Sequence, residues 1–274
     1  MTSPPTAKGR ADRFAESLCA CAGLALLAGA WAFGAGAWLE LRAIPALPST
    51  LAVGALFYAA HLRTRAQRER LGLRRPALPA WAMAAAAASF MALKLSFDTL
   101  LLTLVPDPGP GPVSAWLRSG GGWTPVVVTL VLLVPLMEEV VFRGWLQRWL
   151  QRRHGAAAAV LATAVTFALG HFNLAGLPSM LLGGLVLGYA AHASGSLWTS
   201  VLLHAAANAT VALSTAGLPF GTRAAAVLLL PSAAVLVWLG IRFRGASGAR
   251  DAGHTHARPA DSPLRVVHTV ADRP

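Results

Sequence analysis

Several side chains that can move protons or hold water lie inside stretches of the chain that are otherwise apolar. One stretch carries Glu138-Glu139-Val-Val-Phe-Arg143, a second ends in Phe167-Ala-Leu-Gly-His171, and a third carries His204-Ala-Ala-Ala-Asn208. An ionised side chain in the middle of a membrane costs roughly 2.5–3.5 kcal/mol on insertion scales, so such residues are functional candidates by default. Carboxylates and imidazoles are the groups with which enzymes activate water. The three stretches therefore predict hydrolytic chemistry within a membrane.

Helical geometry divides these residues into pairs and a single acid. Glu139 and Arg143 are four residues apart with the acid first, the favourable order, and should neutralise one another. Adjacent residues point about 100° apart on a helix of 3.6 residues per turn, so Glu138 should face elsewhere and remain unpaired. His204 and Asn208 are again four apart and share one face. The pattern favours Glu138 as the free acid.

Depth along the helices favours convergence of the three stretches. At 1.5 Å per residue, Glu138 and Asn208 each lie about 18 Å from the cytoplasmic ends of their segments, and His171 lies about 24 Å along its own. Pro135, one turn before Glu138, has no N–H to donate and should loosen the helix there. That would admit water near the acid.

The composition indicates an integral membrane protein. Of the 274 residues 55% are hydrophobic and only 12% are charged, against about 25% in soluble domains. The two cysteines, Cys19 and Cys21, exclude a disulfide scaffold because they are two residues apart in one apolar stretch. The net charge of +12 is better explained by arginines at a membrane surface than by nucleic acid, which is not an expected partner.

Apolar runs predict an all-α polytopic membrane protein of about eight transmembrane helices, with a catalytic bundle in the C-terminal two-thirds. The predicted spans are Ser17–Leu39, Ala43–Ala60, Ala77–Val105, Pro125–Leu150, Gly155–Gly170, Leu177–Ala191, Ser196–Leu213 and Ala224–Ile241. Arginines alternate between loops as the positive-inside rule requires if both termini are cytoplasmic. A cleaved signal peptide is the alternative for the first span, but its length and the arginine pattern argue against cleavage.

Four regions follow from this pattern. Residues 1–16 form a cytoplasmic segment, 17–122 the N-terminal transmembrane helices and loops, 123–244 the catalytic membrane domain, and 245–274 a disordered cytoplasmic tail. The frequent Ala and the preference for Arg over Lys are typical of a high-GC bacterium, and hence predict the inner membrane as the location.

The three motifs resemble the CAAX-prenyl-protease and bacteriocin-processing (CPBP, or Abi) family of intramembrane glutamic-type endopeptidases. Its signature is Glu-Glu-x-x-x-Arg, Phe-x-x-x-His and His-x-x-x-Asn, matched here in order over about residues 123–215. The resemblance implies a role for each motif residue: Glu138 activates water, His171 holds it, His204 and Asn208 donate to the oxyanion, and Glu139, Arg143 and Phe167 support the site. It implies no cofactor, and a membrane-associated substrate such as a C-terminal sorting tail or a leader peptide.

Three other functions are compatible with these residues. A zinc protease would use Glu138, His171 and His204 as two-His, one-carboxylate ligands, although no His-Glu-x-x-His helix is present. A proton-coupled transporter would use Lys94 and Asp98, although these are four residues apart and predicted to pair with each other. A non-catalytic scaffold or immunity protein is a third class.

Two smaller features of the sequence concern a serine mechanism and helix packing. A serine protease is disfavoured because Ser194-Gly-Ser196 lies in a turn and no Gly-x-Ser-x-Gly elbow exists. Gly184-Leu-Val-Leu-Gly188 predicts close internal helix packing.

Overall fold

The computed structural model describes residues 11–23, 64–76, 78–105, 114, 117–215 and 220–243. These residues form helices and connecting turns, without strands in the described ranges. In chain order the helices are α1 (11–23), α2 (Arg65–Arg70), α3 (Ala80–Leu101), α4 (123–154), α5 (Ala156–Gly170), α6 (Leu177–Ser194), α7 (Leu197–Thr215) and α8 (Thr222–Arg242). The all-α prediction is confirmed.

Four of the described helices, α3, α6, α7 and α8, are long and apolar enough to cross a membrane, and α5 is a shorter apolar helix. Their ends lie within a few residues of the predicted spans. Helix α1 begins by residue 11, ahead of the predicted start of the first span. The rest of that span, the second span and the predicted tail at 245–274 fall outside the described residues. The chain is a polytopic helical membrane protein.

Helix α4 alternates between two helical forms along its length. It runs through Trp123–Val126 (α), Val127–Leu133 (π), Val134–Glu139 (α), Val140–Gln147 (π) and Arg148–His154 (α). In the first π segment the N–H of Val134 donates to the carbonyl of Thr129, five residues back. Pro135 has no N–H with which to continue that pattern. The loosening predicted at Pro135 is therefore present as a wider helical turn.

The apolar core lies between α3, α6, α7 and α8, with Phe90, Leu187 and Leu203 at its centre. Helices α3 and α8 are antiparallel, because Trp81 near the start of α3 contacts Trp238 near the end of α8, with ring centroids 6.4 Å apart. Apolar side chains remain exposed around the outside of the bundle, as lipid-facing surfaces require.

Helices α5 and α6 approach closely where α6 has glycine. A Cβ added to Gly184 would lie 2.9 Å from the Cα of Ala164, and one added to Gly188 would lie 3.2 Å from a methyl of Val160. The internal close packing predicted for Gly184 and Gly188 is confirmed. It fixes α5, which ends directly before His171, against α6.

Lys94 and Asp98 pair on α3 as predicted, with Nζ 2.8 and 3.0 Å from the two carboxylate oxygens. Both side chains also hydrogen-bond the hydroxyl of Ser179 on α6. Lys94 is buried, so the pair and the serine form a satisfied polar link between two helices. This arrangement favours the structural interpretation of the pair over a transport role.

One end of the bundle gathers arginines and is here called the arginine-rich end, defined by Arg74, Arg148, Arg152 and Arg153. At this end the Nε of Arg74 donates to the carbonyl of Gly195, between α6 and α7, at 2.8 Å. Ser17 of α1 hydrogen-bonds His154 at the end of α4. The predicted topology makes this end cytoplasmic, and that orientation stays a prediction.

Candidate active site

Glu139 and Arg143 form a fully buried ion pair inside the helix bundle. The Nη1 of Arg143 lies 2.9 Å from Oε1 of Glu139, and both side chains are 0% exposed. The Nη2 of Arg143 donates to the carbonyl of Gly184 at 3.2 Å. A buried charge is tolerated only when it is paired and hydrogen-bonded. The pairing predicted from the i,i+4 spacing is therefore present, and the close approach of α6 supplies the second acceptor.

His204 of α7 lies between the two adjacent glutamates of α4. Its Nδ1 is 2.8 Å from Oε1 of Glu139, and its Nε2 is 3.6 Å from Oε2 of Glu138. An ionised carboxylate can only accept, so Nδ1 carries the proton that is donated to Glu139. That bond fixes the ring and directs Nε2 at Glu138.

Glu138 is the free acid that helical geometry predicts. Its Oε2 is buried and has no hydrogen-bond partner among the described residues, while the side chain as a whole is 20% exposed. The 3.6 Å to His204 is longer than a hydrogen bond. Glu138 is therefore held beside an imidazole without being neutralised by Arg143, and part of it can be reached from outside.

Phe167 of α5 is the packing centre of the site. Its ring centroid is 4.6 Å from that of His171 and 5.7 Å from that of His204. The guanidinium carbon of Arg143 lies 4.5 Å from the same centroid, a cation–π distance. The packing of Phe167 beside His171 is as predicted. Its contacts with Arg143 and His204 show how one aromatic side chain joins three helices.

His171 enters the same cluster through Phe167. Its Nδ1 is 2.7 Å from the backbone carbonyl of Phe167. Because a carbonyl only accepts, Nδ1 carries hydrogen, and Nε2 of the neutral ring bears the lone pair. The chain turns sharply after His171, since Phe172 has a φ of 49°, which is uncommon for a residue with a side chain. Asn173 accepts from the N–H of Gly176 in the turn that follows and contributes to the turn.

Asn208 contacts the backbone of α4. Its Nδ2 donates to the carbonyl of Leu130 at 2.8 Å. Leu130 is five residues before Pro135, so its carbonyl is the one that the π pattern leaves without a donor. One N–H of the amide donates to Leu130, and the second N–H remains to donate a hydrogen bond to an oxyanion.

Gln147 is part of the same polar network and was not among the predicted site residues. Its Nε2 donates to the carbonyl of Gly188 at 2.8 Å, one turn beyond the bond from Arg143 to Gly184. Glu139, Arg143 and Gln147 thus form one polar stripe at four-residue intervals along a buried helix face. That spacing within an apolar span is the signal that could have identified Gln147.

The side chains do not form the zinc site considered as an alternative. Among the residues that the structure describes, no three His, Cys, Asp or Glu side chains are grouped closely enough to hold one metal ion. His204 directs one nitrogen to each glutamate, and His171 directs Nδ1 to a carbonyl. The two-His, one-carboxylate set of Glu138, His171 and His204 does not fit this geometry.

Comparison with known families identifies the segment that carries these residues. Residues 120–210 match the family described as type II CAAX prenyl endopeptidase Rce1-like. This segment is similar to the CAAX prenyl endopeptidase family. It covers about a third of the chain and includes every predicted site residue from Glu138 to Asn208. Neither the curated proteins nor the solved structures give a significant match to the chain.

The match over residues 120–210 confirms the resemblance to CAAX proteases predicted from the three motifs. It also agrees with the membrane-spanning helices described above, because the matched segment contains α4, α5 and α6 and most of α7. The matched family is one of endopeptidases, and the match therefore supports a protease function for this membrane protein.

Proposed function

We propose that the protein is an intramembrane endopeptidase that hydrolyses a peptide bond in a membrane-associated protein or peptide, with Glu138 activating water. The observation that carries the proposal is the placement of Glu138 beside Nε2 of His204 while Glu139, and not Glu138, neutralises Arg143. The Oε2 of Glu138 has no hydrogen-bond partner among the described residues, so it is available to accept a proton from water.

The first chemical step forms a bond between water and the substrate carbonyl carbon. Glu138 accepts one proton from water as the water oxygen attacks, and the carbonyl π electrons move onto the carbonyl oxygen. The lone pair on Nε2 of His171 is suited to accept the second hydrogen of that water and so to orient it. Glu139 holds His204 in position through Nδ1.

The second step breaks the carbon–nitrogen bond. Asn208 has one amide N–H beyond the bond to Leu130, and this N–H would donate to the tetrahedral oxyanion. The proton held by Glu138 passes to the leaving nitrogen, so the products are a carboxylic acid and an amine. No step draws on a metal ion, and no cofactor is proposed.

The proposal also covers the class of substrate and the membrane in which the protein lies. The site lies among helices with lipid-facing surfaces, so the scissile bond belongs to a peptide segment that is itself in or beside the bilayer. A C-terminal sorting tail or a leader peptide of a bacterial inner-membrane substrate meets this requirement. Nucleic acid is not a partner in this proposal.

The test compares protein termini in native membranes that contain the wild type or Glu138→Gln. We expect specific substrates to remain uncut in the variant while the protein accumulates normally. Glu69→Gln is the matched control, because Glu69 is an exposed glutamate on α2, far from Glu138 in the chain and outside the matched segment. Identical termini in all three membranes would contradict the protease proposal.

A chelation experiment distinguishes a glutamic from a zinc-dependent mechanism. Cleavage by purified protein should survive treatment with a strong zinc chelator. Loss of cleavage on chelation and its return with added zinc would overturn the glutamic mechanism and leave the endopeptidase proposal standing.

A further inference from the structure

An elongated cavity of about 430 Å³ lies between α3, α6, α7 and α8 at the arginine-rich end. Along α6 its wall runs from Leu185 to Ser194, which is about 14 Å of helix. The volume is within the range of about 300–1,000 Å³ that is typical of small-molecule sites. None of the described residues that line the cavity has a charged side chain. The cavity therefore suits an uncharged, extended group.

The wall of this cavity is more polar at its outer end than at its inner end. Ser194 is the last residue of α6 and Thr199 is the third residue of α7, so both hydroxyls lie near the arginine-rich end. The inner part of the wall is formed by Ala86, Leu185 and Leu203, further along their helices. This polarity matches a molecule that has a polar group at one end and a hydrocarbon chain beyond it.

The hydroxyl of Thr199 has no hydrogen-bond partner among the described residues, although its side chain is only 3% exposed. The other two hydroxyls of the wall are satisfied. Ser194 donates to the carbonyl of Ala190 at 2.7 Å, and Tyr189 donates to the carbonyl of Gly240 at 3.1 Å. Buried polar groups in proteins almost always have partners, because an unpaired one is costly. The unpaired hydroxyl of Thr199 therefore indicates a bound acceptor.

We propose that this cavity binds one acyl chain of a diacyl phospholipid, with the hydroxyl of Thr199 donating to the ester carbonyl of that chain. An ester carbonyl accepts a hydrogen bond without carrying a charge, and it lies where the hydrocarbon core of a bilayer meets the headgroups. Arg242 lies at the same end, with its guanidinium carbon 5.6 Å from the ring of Phe243, which lines the cavity. The phosphate that follows the ester would therefore lie on the side of a cation.

The test measures lipid binding to the purified full-length protein in a non-ionic detergent by native mass spectrometry. The probes are dipalmitoyl phosphatidylglycerol and its di-O-hexadecyl ether analogue, which has the same chain length and headgroup but no ester carbonyl. One net hydrogen bond corresponds to about 2- to 10-fold in affinity, so the wild type should bind the ester lipid more tightly by that factor. Equal affinity for the two lipids, or no binding of either, would overturn the proposal.

The decisive variants are Thr199→Val and Thr210→Val, which lose the same hydroxyl on one helix. Thr210 is also 3% exposed, but it donates to the carbonyl of Ala207 at 2.6 Å and is not among the lining residues. Thr199→Val should bind both lipids as the wild type binds the ether lipid, whereas Thr210→Val should keep the preference for the ester. In the absence of lipid, the melting temperature of Thr199→Val should stay the same or rise, because an unpaired buried hydroxyl is removed. A preference for the ester that persists in Thr199→Val would exclude Thr199 as the donor and overturn the proposal.

A second pair of variants tests the cavity itself. Ala193 lines the cavity on α6, whereas Ala158 is exposed on α5 and is not a lining residue. Ala193→Phe fills part of the cavity and should weaken the binding of both lipids by about tenfold or more. Ala158→Phe should bind as the wild type does. Equal affinities in these two variants would place the bound lipid elsewhere on the protein and overturn the proposal.

Discussion

The side-chain amide of Asn208 occupies the hydrogen bond that Pro135 leaves empty on the carbonyl of Leu130. The donor–acceptor distance is 2.8 Å. In the π segment each N–H reaches five residues back, and Pro135 would be the donor to Leu130 if it had an N–H. A candidate oxyanion donor on α7 is therefore positioned by an irregularity in the backbone of α4.

Replacing Pro135 with alanine should disturb Asn208. Pro135→Ala restores an N–H that competes for the Leu130 carbonyl, so we expect Asn208 to shift and cleavage to fall by up to about 100-fold. The melting temperature should stay the same or rise, because the helix gains a backbone donor. Pro231→Ala is the control, since Pro231 lies inside α8. Full activity in Pro135→Ala would show that the proline does not position Asn208.

Removing the Asn208 amide should affect turnover more than stability. We expect Asn208→Ala to lower kcat by roughly 100- to 1,000-fold, the usual cost of losing one oxyanion donor. The lost bond to Leu130 should lower the free energy of unfolding by only about 1 kcal/mol. Steady-state kinetics and thermal unfolding of the same preparation would measure both. A loss of stability alone would assign Asn208 a purely structural role.

The adjacent glutamates should respond differently to the same substitution. Glu139→Gln leaves Arg143 buried without its charge partner, and breaking such a pair costs about 3–5 kcal/mol. We expect lower abundance together with lower activity in Glu139→Gln, and loss of activity alone in Glu138→Gln. Membrane abundance and cleavage should be measured in parallel. A stable but wholly inactive Glu139→Gln would contradict this division between base and support.

Two neighbouring glycines of α6 should show opposite effects on stability. A Cβ at Gly184 would lie 2.9 Å from the backbone of Ala164, whereas the nearest atom to one at Gly183 is 4.0 Å away on Phe90. Gly184→Ala should destabilise by about 1–3 kcal/mol. Gly183→Ala should be neutral or stabilising by up to about 1 kcal/mol through helix propensity. Thermal unfolding of the two variants tests this, and equal melting temperatures would show that α5 and α6 can separate.

Local spacing was sufficient to predict part of the site. The pairing of Glu139 with Arg143 follows from their positions on one helix face, and the isolation of Glu138 follows from its neighbouring position. The helix limits followed from apolar runs because a bilayer sets the length of a span. These predictions needed no knowledge of how the helices pack.

Contacts between helices could not be predicted in the same way. Whether His204 directs Nδ1 to Glu139 or to Glu138 depends on the rotation of α7 against α4, which no motif spacing encodes. The bond from Asn208 to Leu130 depends on a π pattern, and an α-helical count would have assigned a different carbonyl. The role of Gln147 depends on the proximity of Gly188, which only the packing of α6 provides.

The π segments of α4 have a consequence for the lengths that related chains can have. A π turn amounts to one extra residue within an α-helix. A chain with α spacing over this stretch would need one residue fewer to keep the present geometry. At the present length, α spacing would rotate Leu130 by about 100° relative to Glu138. Glu138 could then face His204, or Asn208 could reach the Leu130 carbonyl, but not both. The number of residues in this stretch therefore predicts the active-site geometry of a related protein from its sequence alone.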